Sequence, residues 1–225
     1  AIDGLKSCST VMVHTEADVE NLRSLGIEEN VVMIPHGIYP PPSDSAESLP
    51  MEGRVMGTFG FLLPHKGQLE LIEAFDRLPG WDELLLLCAT REGSGNMEKK
   101  VNSLIQNKGL TGRVRLVTDF LDDDVAISTL SKCELLVFPY QNTKESASGA
   151  VRMGVAAGVP LAVTPISIFD DIAGAIKMRG RSVDDIVASI SAIGQKNLDS
   201  SRESMIKLRD ALQWDEVAKR IQERL

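Results

Sequence analysis

Glu145, Ser146, Ser148 and Gly149 are the residues best suited, by type and spacing, to hold an anion. They stand in the run Lys144-Glu145-Ser146-Ala147-Ser148-Gly149, between an apolar segment at 135–138 and a helical pattern at 149–157 that closes at Gly158 before Pro160. A strand that feeds a Ser/Gly turn and a helix N-terminus aims free N–H groups and the positive end of the helix dipole at one place. Phosphate suits such a place, and Glu145 can accept bonds from the hydroxyls of an attached group. The plainer reading is a helix cap, with Glu145 merely favourable near the dipole. Arg152, one turn into the helix, reads as a surface residue.

The second cluster is Gly57-Thr58-Phe59-Gly60-Phe61-Leu62-Leu63-Pro64-His65-Lys66-Gly67. A strand ends in a glycine-containing loop that presents one lysine just before a helix. Lysine is a mobile point charge suited to a diphosphate; the plainer reading is a solvated loop lysine. Other candidates are weaker. Gly93-Ser94-Gly95 lacks the third glycine and the acidic partner of a dinucleotide fingerprint. His14, His36 and His65 have no metal-ligand spacing and read as loop or core residues. Asp122-Asp123-Asp124 reads as a first helical turn, where acids are favoured. No Gly-x-Ser-x-Gly nucleophile motif occurs.

The elements that must position these residues alternate regularly. Apolar runs at 54–59, 84–89, 114–118, 135–138 and 161–164 read as strands, and periodic segments at 68–77, 97–107, 122–131 and 149–157 as helices. Continuous apolar strands such as Leu84-Leu85-Leu86-Leu87 belong to a parallel sheet covered on both faces. The expected fold is therefore α/β, a Rossmann-like doubly wound sheet with helices on both faces, ligands binding at the carboxyl ends of the strands. Upstream, 11–15 and 31–35 read as short strands around a helix at 16–24 capped by Thr15. The end of the chain reads as helical over 184–193, 201–212 and 215–225. The domain reading is a tail and interdomain segment at 1–37, a Pro/Ser-rich linker at 38–53, a ligand-binding domain at 54–212 and a terminal helix at 213–225.

Composition sets outer bounds. The chain has 225 residues, 43% apolar and 25% charged, with net charge −8 and pI about 5.0. An acidic surface disfavours nucleic acid or anionic membranes as partners. Three unpaired cysteines, Cys8, Cys88 and Cys133, suit reduced thiols in the cytoplasm. No run approaches the roughly 18 apolar residues of a membrane span. The first residues look cut from something longer.

Several ordered motifs together resemble the retaining glycosyltransferases of family 4, specifically their C-terminal, donor-binding half. Ile34-Pro35-His36-Gly37 is similar to the family's interdomain segment. Gly60 to Gly67 followed by Leu71-Ile72-Glu73-Ala74-Phe75 is similar to its first glycine–lysine motif, and Gly109-Leu110-Thr111-Gly112-Arg113-Val114 to the segment before the base-binding loop. Cys133 to Pro139 and Glu145 to Pro160 resemble the acidic motif and its preceding strand, and Trp214-Asp215-Glu216-Val217-Ala218 the terminal helix that crosses back.

The resemblance implies a two-domain GT-B architecture, a nucleotide-diphosphate sugar donor and no obligatory metal or other cofactor. Gly60, Lys66, Ser146, Ser148 and Gly149 would bind the donor's diphosphate. Glu145 would be the catalytic residue touching the transferred sugar. Thr118, Asp119, Phe120 and Met153 would line the base and ribose. A glycan or lipid-linked acceptor, the family's catalytic histidine and any docking to the inner face of the membrane would belong to an N-terminal domain of which this chain holds only the tail. The fragment alone is expected not to turn over substrate. Polysaccharide biosynthesis is the expected setting, by analogy of family.

Two positions depart from the family pattern: Phe61 stands where an arginine is usual, and Met153 where a second glutamate binds ribose. They favour, as the alternative, a non-catalytic or degenerate nucleotide-binding module. A sugar-nucleotide epimerase of the same architecture and a nicotinamide-dependent dehydrogenase fit the motifs less well.

Overall fold

The computed structural model describes residues 2–92, 94–143 and 145–224. The chain opens with α1 (Ile2–Ser7), β1 (Val11–Val13), α2 (Glu16–Ser24) and β2 (Val31–Met33), with β1 and β2 paired in parallel. Thr15 caps α2, its hydroxyl oxygen accepting from the Asp18 N–H. Residues 34–54 contain no helix or strand of their own. They are nevertheless tied down: the Ile38 N–H donates to the Leu212 carbonyl, and Leu49 and Met51 pack on the core.

The main body alternates as the apolar runs require. Its elements are β3 (Val55–Phe61), α3 (Gln68–Asp76), β4 (Glu83–Ala89), α4 (Met97–Asn107), β5 (Val114–Val117), α5 (Asp123–Leu130), β6 (Leu135–Phe138), α6 (Gly149–Ala157), β7 (Leu161–Val163) and β8 (Ile176–Lys177), followed by α7 (Val183–Ser191), α8 (Gln195–Ala211) and α9 (Trp214–Gln222). Six strands form one sheet in the order β5-β4-β3-β6-β7-β8, every pair parallel. Strand order reverses between β3 and β6, so the crevice of a doubly wound sheet opens there, at the strands' carboxyl ends.

Strand side chains alternate between faces, and the core divides accordingly. Leu85 and Leu87 join α5 and α6 residues such as Ile127, Leu130, Val151 and Val155. Leu84, Leu86 and Cys88 join α3, α4 and α7 residues such as Phe75, Val101 and Ile186. The sheet is thus covered on both sides, which is why β4 reads as an unbroken leucine run. Burial pushes the Cys88 and Cys133 thiols up to about 12, marking them as packing residues.

Glycine is required where β3 hands over to α3. Gly67 has φ +75°, and a Cβ there would lie 1.9 Å from the Pro139 carbonyl oxygen. This close approach brings the loop after β3 against the end of β6, and the Gln141 N–H donating to the His65 carbonyl at 2.8 Å reinforces it.

Three elements differ from the sequence reading. α8 begins at Gln195, six residues before the expected 201, because Asn197 Oδ1 accepts from the Gly194 N–H and closes a polar first turn. α1 buries none of its residues, so it has no apolar stripe to read. β8 has two residues and exists by pairing with β7.

Candidate functional site

A cleft of about 600 Å³ lies over the carboxyl ends of β3, β4 and β5 and the start of α6. Its volume suits a small organic ligand. Gly60, Lys66, Glu145, Ser148 and Gly149 line it from the β3 and α6 side. Asp119, Phe120 and Met153 line it as well, bringing eight of the ten sequence candidates to one place. Thr118 and Ser146 are not among its lining residues. Lys144 and Gly93 lie outside the described residues.

Lys66 ends a single 3-10 turn, Pro64–Lys66, directly after β3. Its Nζ donates to Glu145 Oε2 at 2.7 Å and stands 4.0 Å from the centroid of the Tyr140 ring. Burial lowers the pKa of the ammonium, while Glu145 works to raise it. For Glu145, burial works to raise the carboxyl, but the Lys66 hydrogen bond and charge, with His65, hold it below its ordinary value. His65 Nε2 lies 3.5 Å from Glu145 Oε1. An ammonium has three protons and Glu145 takes one of them, so Lys66 retains donors for a second acceptor.

The α6 N-terminus is built to leave amides free. Ser148 is the N-cap, its Oγ accepting from the Val151 N–H and sharing a hydrogen bond with the buried Tyr140 hydroxyl at 2.9 Å. The Gly149 and Ala150 amides donate to no described residue. The cap of the sequence reading is present, and because the hydroxyl does the capping, the first-turn amides and the dipole are left at the cleft. Gly149 has open space where a side chain would stand.

Arg152 corrects the sequence reading: it is buried, not a surface residue. Its guanidinium donates to the Ser148 carbonyl at 2.8 Å and pairs with Asp171 from beyond β7. Burial lowers its pKa, and Asp171 opposes the change. The four-residue helical spacing brings Arg152 back onto Ser148, but only folding delivers Asp171, 19 positions away in sequence. Met153 is 5% exposed and presents an apolar wall to the cleft.

Three further residues line the cleft that the sequence reading assigned to no ligand contact. Trp214 of α9 lines the cleft and packs on Gly37, where a Cβ would lie 2.3 Å from the indole. His36, between His14 and Trp214, also lines it. Its Nδ1–H donates to the Gly37 carbonyl at 2.7 Å, and burial lowers its pKa. Arg91, at the end of β4, places its guanidinium 4.6 Å from the centroid of the Phe61 ring. His36 and Trp214 stood in segments already likened to family motifs, though with no ligand role, and Arg91 was marked only as the single cation after the leucine strand.

A doubly wound parallel sheet with an open cleft at its switch point defines the α/β class to which this chain belongs. The chain belongs to the family described as glycosyl transferases group 1, which matches residues 43–207. Solved structures share its fold. A sucrose-phosphate synthase from Thermosynechococcus elongatus is 17% identical with TM-score 0.81, covering 99% of this chain and 59% of that one. Anabaena Alr3699/HepE in complex with UDP-glucose is 15% identical with TM-score 0.79, covering 99% and 65%. A UDP-forming α,α-trehalose-phosphate synthase from Burkholderia xenovorans is 11% identical with TM-score 0.77, covering 99% and 62%. The chain thus spans about three fifths of the length of these proteins. Among curated proteins, none matches its sequence.

Proposed function

We propose that the cleft binds the nucleotide-diphosphate sugar donor of a retaining glycosyltransferase, and that this chain is the enzyme's donor-binding half. The observation that carries the reading is the placing on one cleft, at the switch point of the sheet, of Lys66 and the Gly149 and Ala150 amides, which have no acceptor among the described residues. When a sugar C–O bond breaks, negative charge builds on the departing diphosphate, and fixed amides with an ammonium beside them stabilise it. On this reading no metal or other cofactor is needed for that work. Glu145 meets the transferred sugar. Its bond to Lys66 links the sugar-contacting carboxylate to the group that holds the leaving diphosphate. Asp119 and Phe120 flank the base, with Phe120 80% exposed and available for stacking.

The wider reading follows the family. The acceptor, a glycan or lipid-linked sugar, belongs to a domain preceding residues 1–37, with 38–53 as the linker, 54–212 as the donor domain and α9 crossing back. Polysaccharide assembly in the cytoplasm is the setting. No helix among the described residues is long and apolar enough to cross a membrane.

A second reading, nucleotide binding without transfer, is favoured by Met153: an apolar side chain offers ribose hydroxyls no partner. Calorimetric titration with UDP, GDP and ADP, free and as sugar conjugates, tests the donor site. One base is expected to give a diphosphate-dependent signal. Silence across all of them from folded protein would remove the donor reading. A donor that binds but is never consumed by the longer protein with acceptor supplied would leave only the second.

A further inference from the structure

We infer that Arg91 is a second cationic contact for the donor's diphosphate, held ready on the Phe61 ring at the β4 side of the cleft. The inference rests on the donor reading above. β4 lies between β3 and β5 in the sheet. The turn after β4 therefore opens between the loop that carries Lys66 and the loop that carries Asp119 and Phe120. A ligand with its base at Phe120 and its diphosphate at Lys66 must pass Arg91.

The local chemistry agrees. The guanidinium lies over the Phe61 ring, and a ring takes none of its five N–H donors as a conventional hydrogen bond, so they are left for an anion. The backbone beneath is pinned: the Arg91 N–H donates to Ser94 Oγ at 2.9 Å, the Ser94 N–H returns to the Arg91 carbonyl at 3.0 Å, and Ser94 is buried. The Arg91 side chain itself stays exposed to the cleft.

Charge balance gives the second argument. Of the cleft's lysine and arginine side chains, Lys66 pairs with Glu145 and Arg152 with Asp171. Arg91 forms no ion pair among the described residues. Its charge also acts on Lys66, lowering that ammonium's pKa, and the cleft's other carboxylates, Asp119 and Asp123, form no ion pair with it among the described residues. A diphosphate carries one negative charge on each phosphate, and Glu145 already offsets Lys66. Arg91 adds one positive charge toward those two, and Phe61 is its positioning residue.

The test measures UDP by calorimetry and uridine by ligand-observed NMR on the wild type, Arg91→Ala, Arg91→Lys and Phe61→Leu. Loss of one charge-assisted contact should weaken UDP about tenfold in Arg91→Ala. Uridine affinity and melting temperature should be unchanged, Arg91→Lys should recover part of the loss, and Phe61→Leu should fall between. Unchanged UDP affinity in Arg91→Ala, with Lys66→Ala clearly weakened, would overturn the inference and leave the donor site standing. An equal loss for uridine would overturn it by making Arg91 a nucleoside contact. A wild type that binds none of UDP, GDP or ADP would remove the donor reading and the inference with it.

Discussion

Two cation–carboxylate pairs flank the cleft, and their surroundings give them different work. Arg152–Asp171 is closed, with side chains 4% and 26% exposed; the arginine is further engaged by the Ser148 carbonyl. It holds the first turn of α6 against the segment after β7, and its two charges are paired with each other. Lys66–Glu145 is half open, with side chains 10% and 38% exposed. Its glutamate reaches water and its lysine keeps spare donors over the Tyr140 ring. A buried pair fixes geometry, because separating it strands a charge away from solvent. A pair with one partner in water can exchange partners at little cost. The first therefore belongs to the scaffold and the second to ligand binding.

The largest expected effect tests the scaffold pair. Arg152→Ala should lower unfolding stability by about 3 kcal/mol, leaving Asp171 partly buried without its partner. Denaturant melts read this directly; a loss under about 1 kcal/mol would make the pair as dispensable as an exposed one. Lys66→Ala should invert the pattern. UDP affinity should fall about 10- to 100-fold, the worth of charge-assisted hydrogen bonds, with stability changed by no more than about 1 kcal/mol. If both variants lost stability and affinity alike, the distinction between the pairs would fail.

The smallest effect concerns pH. The folded Glu145 carboxyl titrates below its ordinary 4.5. A depressed carboxylate contributes stability that is present above the unfolded value and is lost as pH falls through the folded one. Wild type should therefore exceed Glu145→Gln in stability near neutrality by under about 1 kcal/mol, since the group is partly exposed. The gap should close below pH 4.5, measured as melting-temperature difference against pH. A gap that widened on acidification would show the opposite shift.

Much of this arrangement was legible from local pattern. The leucine run of β4 announced a strand buried on both faces, and the run 145–149 announced a helix start because capping and anion binding use the same few residues. Lys66 followed from its place between a strand end and Gly67. Arg152 misled because a charged residue one turn into a helix is usually solvated, and its partner is remote in sequence. Arg91 carried no motif, and Trp214 carried only its likeness to a terminal helix that crosses back. Arg91 matters because β4 lies beside β3, and Trp214 because α9 returns over Gly37.

The sequence by itself determined the alternation of strands and helices, the position of each loop that carries chemistry, and the capped start of α6. These follow from short-range periodicity, backbone propensity and side chain–backbone hydrogen bonds, which act over a few residues. Only the tertiary structure decided which cation meets which anion. Lys66 pairs with Glu145 across 79 positions, Arg152 pairs with Asp171, and Arg91 rests on Phe61 across neighbouring strands. Strand order in the sheet sets those meetings, because long-range packing brings together groups whose charges have no influence on one another along the chain.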